Sequence, residues 1–275
     1  MKRVITALIL IPLVLLLVFL GPGWLFTLMV AAVAALAAWE FLGLAEKTGA
    51  TPPRVAVLAA ILALFAGNFY WSSQTMAILG ILSLALLVYC TFSRPAEQVL
   101  ADSATSIFCL FYVGFTLMTL PALLEETNGP SLVVFLLCAV WAGDIAALYV
   151  GRAWGRHKMA LALSPNKTWE GSLGSLAGSL LATGGLLGLG RLFDLWNSAK
   201  LSYSDEPWWY WLLMAVVVNA AAQVGDLAES ALKRSAGVKD SGSILPGHGG
   251  VLDRIDALLV AAPVLWYAQV IQHWF

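Results

Sequence analysis

Apolar runs of about seventeen residues or more, broken by short polar stretches, recur from one end of this chain to the other. They predict nine membrane-spanning helices, at about 4–20, 24–44, 55–71, 75–91, 104–124, 131–150, 171–190, 208–228 and 256–273. Gly-Pro-Gly at 21–23, Thr-Pro-Pro at 51–53, Ser-Arg-Pro at 93–95 and Asn-Gly-Pro at 128–130 mark breaks between runs. Only helices satisfy their own backbone in lipid over such lengths, and the short-period alternation of a membrane barrel is absent. The expected fold class is therefore all-α, a polytopic integral membrane protein. One membrane domain is expected over 1–275, with N-terminal spans to about 130 and charge-bearing spans and loops beyond. Met-Lys-Arg followed by Val4–Leu20 resembles a signal peptide. No small-x-small cleavage site follows, so it is read as a retained first span.

Composition agrees. Of 275 residues, 60% are hydrophobic and 11% charged, against about 25% charged in a soluble domain. A net charge of −1 says little about partners and gives no reason to expect nucleic acid. The distribution of charge says more. With a cytoplasmic N-terminus, 13 of the 15 Lys and Arg residues fall on inner segments, and only Arg191 and Lys200 fall outside. Trp71, Trp208, Trp209, Trp211 and Trp274 then sit at the outer interface. Both charge-dense loops, 151–170 and 229–255, face the cytoplasm, where a nucleotide can reach them. Cys90, Cys109 and Cys138 stand apart in apolar runs, which favours packing over metal or catalytic roles.

Val224–Asp256 holds five acids, Asp226, Glu229, Asp240, Asp253 and Asp256, beside Lys233, Arg234, Lys239 and Arg254. Asp226, Glu229 and Lys233 share one helix face, and Asp253 and Asp256 are one turn apart. Such acids suit Mg²⁺, which binds one or two carboxylates plus phosphates; they equally suit helix-end salt bridges with Arg234, Arg254 and Lys239. The loop Ser-Gly-Ser-Ile-Leu-Pro-Gly-His-Gly-Gly, with His248, Gly249 and Gly250, can offer N–H groups to phosphate or serve as a plain turn. Asp144 lies at membrane depth, which marks it as a functional candidate. Arg152, Arg156, Lys158 and Lys167 form a basic cluster for phosphate oxygens, or simply follow the positive-inside bias. Ser164 and Thr168 are candidates to cap a helix or touch phosphate. Acids for metal and bases for phosphate at the lipid boundary point to phosphoryl or nucleotidyl chemistry on a lipid. No Ser–His–Asp pattern or His pair suggests acyl transfer or zinc. Span seven carries Gly171, Gly174, Ser175, Gly178 and Ser179, small residues that allow close helix packing within the chain or a dimer contact.

Ser230–Asp256 closely resembles the signature S-x-x-K-R-x-x-x-x-K-D-x-x-x-x-x-P-G-H-G-G-x-x-D-R-x-D of CTP:phosphatidate cytidylyltransferases, or CDP-diacylglycerol synthases, with every fixed position met. Ser164–Gly171 is similar to that family's S-P-x-K-T-x-x-G element, and Gly151-Arg152 and Gly155-Arg156 to its paired glycine-basic steps. One departure is Leu148, where the family often has Tyr. The resemblance implies transfer of CMP from CTP to phosphatidic acid, with pyrophosphate released, in the inner membrane. It implies Mg²⁺ on Asp226 and Asp253, with Asp256 beside them, a monovalent cation such as K⁺, and a homodimer. Lys167, Lys233, Arg234 and Lys239 are then expected on phosphates, the loop around His248 over the nucleotide, and Asp144 on the cavity floor. Arg152, Ser164, Thr168, Glu229, Asp240, Gly249, Gly250 and Arg254 complete the expected substrate-binding set.

Overall fold

The computed structural model describes residues 2–195, 201–243 and 249–272. Among these, nine helices carry almost the whole chain. They are α1 (Lys2–Leu20), α2 (Gly23–Lys47), α3 (Arg54–Tyr70), α4 (Thr75–Ser93), α5 (Ala96–Glu125), α6 (Gly129–Trp154), α7 (Trp169–Leu195), α8 (Trp208–Ser235) and α9 (Leu252–Gln272). Seven of them, α2 and α4–α9, are long and apolar enough to cross a membrane. The 17 residues of α3 and the apolar stretch Ile11–Leu20 of α1 are shorter. Pro22, Pro53 and Pro95 stand at the N-caps of α2, α3 and α5 and Pro130 in the first turn of α6, whereas Pro12, Pro121 and Pro263 lie inside α1, α5 and α9. At the helix starts the missing N–H costs no helical hydrogen bond.

The helices outrun the apolar spans. Helix α5 starts at Ala96 rather than near 104, and α8 continues to Ser235 rather than 228. Hydropathy marks the lipid-facing part only, whereas a helix satisfies its backbone at any depth. One expected loop also contains strands. β1 (Lys158–Ala160) and β2 (Ser164–Thr168) form a short antiparallel hairpin with an irregular register.

The chain divides into two compact units, one of residues 1–13, 21–121 and 231–255, the other of 14–20, 122–230 and 256–275. In the first, α2 to α5 pack in succession around Phe26, Leu42, Ile61, Leu64, Leu110 and Phe115, all nearly inaccessible. Residues 110–115 of α5 widen into a π-helical turn, and Tyr112 there stacks on Phe108 while both rings meet Phe41. Asp102 is fully buried and accepts the Thr51 N–H at 2.6 Å and the Thr51 hydroxyl at 3.0 Å, with Arg94 at 3.6 Å. A polar residue near the start of α5 thereby fixes the loop before α3.

The second unit is built on α6 and α7, which pack closely. A Cβ at Gly178 would stand 2.6 Å from the Ala142 carbonyl oxygen and 2.6 Å from the Ala146 methyl. The small residues of span seven thus serve contact within this chain. Polar groups tie in α8: Asn219 Nδ2 donates to Ser175 and Ser179 Oγ, each at 2.8 Å, and Ser179 Oγ donates to the Ala139 carbonyl at 2.6 Å. Lipid is as apolar as leucine, so close packing and such bonds hold helices together where water exclusion cannot. Gly178→Leu should destabilise the purified protein by about 1–3 kcal/mol through overpacking, seen as a lowered unfolding temperature in detergent.

Candidate active site

In the second unit, the hairpin and three helix segments surround a cavity of about 290 Å³, lined among others by Asp144, Gly151, Lys167, Thr168, Gln223 and Asp226. Its parts follow from local chemistry. Thr168 ends β2 and caps α7, its Oγ accepting the Gly171 N–H at 3.1 Å. A threonine before a helix satisfies one of the first-turn amides in this way. Glu170, in the first turn of α7, accepts the N–H groups of Arg156 and His157 and meets His157 Nδ1 at 2.5 Å. This pins the turn between α6 and the hairpin. Gly155 is needed there, because a Cβ would stand 2.2 Å from the Gly151 carbonyl oxygen and 2.8 Å from Thr168 Oγ1. The hairpin thus delivers Lys167 to the cavity.

Lys167 Nζ stands 2.6 Å from Asp226 Oδ2 on α8. The ammonium is buried, and no aligned hydrogen bond engages it among the described residues. The ammonium faces the cavity with the Asp226 carboxylate alongside. Asp144 enters the same cavity from α6, and Gln223 and Ser172 from α8 and α7. Gln223 is held by Ser172 and Asn219. Next to Asp226, Gly225 lets the first turn of α9 approach: a Cβ there would lie 2.6 Å from the Asp256 carbonyl oxygen. Asp256 Oδ1 accepts the Ala257 N–H at 2.8 Å. Glu229, one turn beyond Asp226, is fully buried.

The first unit holds a second cluster. Lys233 Nζ donates to Asp253 Oδ1 at 2.6 Å, and the two side chains are 13% and 7% exposed. Asp253 Oδ2 accepts the N–H groups of Ser241, at 3.0 Å, and Gly250, at 2.8 Å. The carboxylate thus closes the loop that leads into α9. Behind it, Glu40 of α2 accepts the Leu252 N–H at 2.9 Å and the Ser241 hydroxyl at 3.2 Å.

Of the expected residues, Asp144, Lys167, Thr168 and Asp226 line one cavity, and Lys233, Asp253 and Gly250 form the second cluster. Asp226 pairs with Lys167 and Asp253 with Lys233. Arg234 donates to the Val238 carbonyl at 2.9 Å. Arg152, Lys239, Asp240 and Arg254 are exposed, and Ser164 and Gly249 are half-buried. His248 lies outside the described residues. The sequence reading missed Glu40, Glu170, Ser172, Asn219 and Gln223. Glu40 carried a visible signal, as an acid in an apolar run. Glu46 and Lys47 follow closely and give that end of the run the pattern of solvent-facing helix.

The sequence model of the cytidylyltransferase family matches residues 1–271. The chain belongs to this family. Among its relatives is a phosphatidate cytidylyltransferase of Pseudomonas aeruginosa, 36% identical with 97% of each chain covered. Another, of Synechocystis, is 31% identical over 98% of this chain and 96% of its own. A phosphatidate cytidylyltransferase of Brucella melitensis is 46% identical over 57% of this chain; the match spans about half of that relative, 54%.

The donors fit Mg²⁺. Among the described residues no three His, Cys, Asp or Glu side chains form a ready metal cage. Mg²⁺ needs none, since it keeps waters and takes phosphate oxygens with one or two carboxylates. Thr168→Val should cost about 1 kcal/mol through the lost helix cap, read as a lower unfolding temperature and faster hydrogen exchange at the Gly171 amide.

Proposed function

We propose that this chain is a phosphatidate cytidylyltransferase: it transfers CMP from CTP to phosphatidic acid and releases pyrophosphate. The observation that carries the reading is Lys167, a buried ammonium ion-paired with Asp226 at 2.6 Å and facing a cavity it shares with that acid and Asp144. That is the chemistry of a site for a phosphate and its counter-ion. The full-length family relatives named above support the choice of substrates.

In the proposed reaction a phosphate oxygen of phosphatidic acid attacks the α-phosphorus of CTP. The bond from that phosphorus to the bridging oxygen of the β-phosphate breaks, and pyrophosphate leaves with the electron pair. The attacking oxygen is already anionic near neutral pH, so the site requires no strong general base. The difficulty is the approach of one anion to another, and preorganised positive charge answers it. Lys167 and Lys233 exchange their carboxylate partners for phosphate oxygens, and Arg152, Arg234 and Lys239 add charge from exposed positions. Asp226 and Asp253 hold Mg²⁺, which when bound neutralises charge on the triphosphate. Asp144 and Asp256 complete the acidic lining. A monovalent cation such as K⁺ assists, and the working form is a homodimer. The site opens to the cytoplasm from the inner membrane, in line with the Lys and Arg distribution.

Asp226→Asn and Asp253→Asn test the metal assignment in the reconstituted protein. Each should lower CDP-diacylglycerol formation at least about 100-fold, as for loss of one preorganised charge-stabilising group. Near-normal turnover in either variant rejects that residue as a metal ligand.

A further inference from the structure

Glu40 is 4% exposed and sits in an otherwise apolar stretch of α2, 201 residues before Ser241 and 212 before Leu252. A carboxylate is costly to bury unless donors meet it. Here the donors come from both ends of the loop between α8 and α9. Leu252 is the first residue of α9, and its N–H is one of those a helix leaves unsatisfied. Ser241 is bound twice, by its hydroxyl to Glu40 and by its N–H to Asp253. Gly250, whose N–H also goes to Asp253, has no room for a side chain. A Cβ there would stand 2.3 Å from Glu40 Oε2 and 2.2 Å from Ser241 Oγ. At Gly242 a Cβ would stand 2.4 Å from Glu40 Oε1. The loop is pressed onto this carboxylate, with glycines at two points of contact.

We propose that Glu40 is a positioning residue for the transferase reaction: its buried carboxylate anchors Ser241 and Leu252 and so holds the Asp253 carboxylate in place. The inference rests on the reading of Asp253 as an Mg²⁺ ligand. Glu40 contacts Ser241 and Leu252. It acts through the two residues that flank Asp253 in space, as groups behind a ligand commonly do.

The test uses the full chain reconstituted in lipid, with Glu40→Ala, Glu40→Gln and Ser241→Ala, and two readouts. The first is the Mg²⁺ concentration giving half-maximal CTP turnover. It should rise about 10-fold in Glu40→Ala, the usual scale for loss of a group behind a metal ligand. Much of kcat should return at saturating Mg²⁺. Glu40→Gln, which keeps an acceptor oxygen, should recover part of the loss, and Ser241→Ala should show a smaller rise. The second readout is maleimide labelling of Ser243→Cys, corrected for labelling of the parent chain, which should be several-fold faster when Glu40 is Ala. Unchanged Mg²⁺ dependence together with unchanged labelling overturns the proposal. If Glu40→Ala fails to fold, Ser241→Ala carries the same two readouts. A wild-type chain without CTP turnover overturns the functional reading alone, and the labelling rates still decide whether Glu40 holds the loop.

Discussion

A carboxylate inside an apolar helical protein must be met by N–H groups, hydroxyls or a cation, because an unmet charge costs several kcal/mol to desolvate. Much of this structure follows from that constraint. Asp102 draws the loop before α3 onto α5. Glu40 draws the loop between α8 and α9 onto α2. Asp253 gathers Lys233 and two backbone amides, and Asp226 gathers Lys167. In lipid there is little hydrophobic force to order helices against one another. These acids supply much of the specificity that apolar packing leaves open.

In the proposed reaction the same pairs would prepare the chemistry. A lysine beside a carboxylate is stable while the site is empty of phosphate, yet neither group is committed by shape to the other. The ammonium is a compact charge on a flexible stem and can turn to a phosphate oxygen. The carboxylate it leaves is a hard oxygen ligand of the kind Mg²⁺ prefers. Under the proposed function, the two acid–lysine pairs would offer sites for both charges of a metal–phosphate substrate without leaving a buried charge alone.

Much of this was legible in the sequence, and the illegible part has physical causes. Apolar run length located every helix, because lipid imposes it directly. Helix ends were misplaced where polar segments such as 96–103 remain helical above the apolar zone. The hairpin at 158–168 was invisible because strands of three and five residues carry no usable period. Asp226, Asp253, Lys167 and Lys233 stood out as charges in patterned loops. Their pairing did not, since Lys167 and Asp226 meet through folding and not through spacing. The partners of Glu40 were hidden for the same reason, lying some 200 residues away.

The central claim is the transfer of CMP, and the fate of phosphorus tests it most directly. The purified chain is given phosphatidic acid, Mg²⁺ and CTP labelled either in its α- or in its γ-phosphorus. The account predicts α-label in the lipid product and γ-label in pyrophosphate. Label passing from the γ-position into lipid, with CDP released, would mean phosphoryl transfer in place of nucleotidyl transfer and would contradict it.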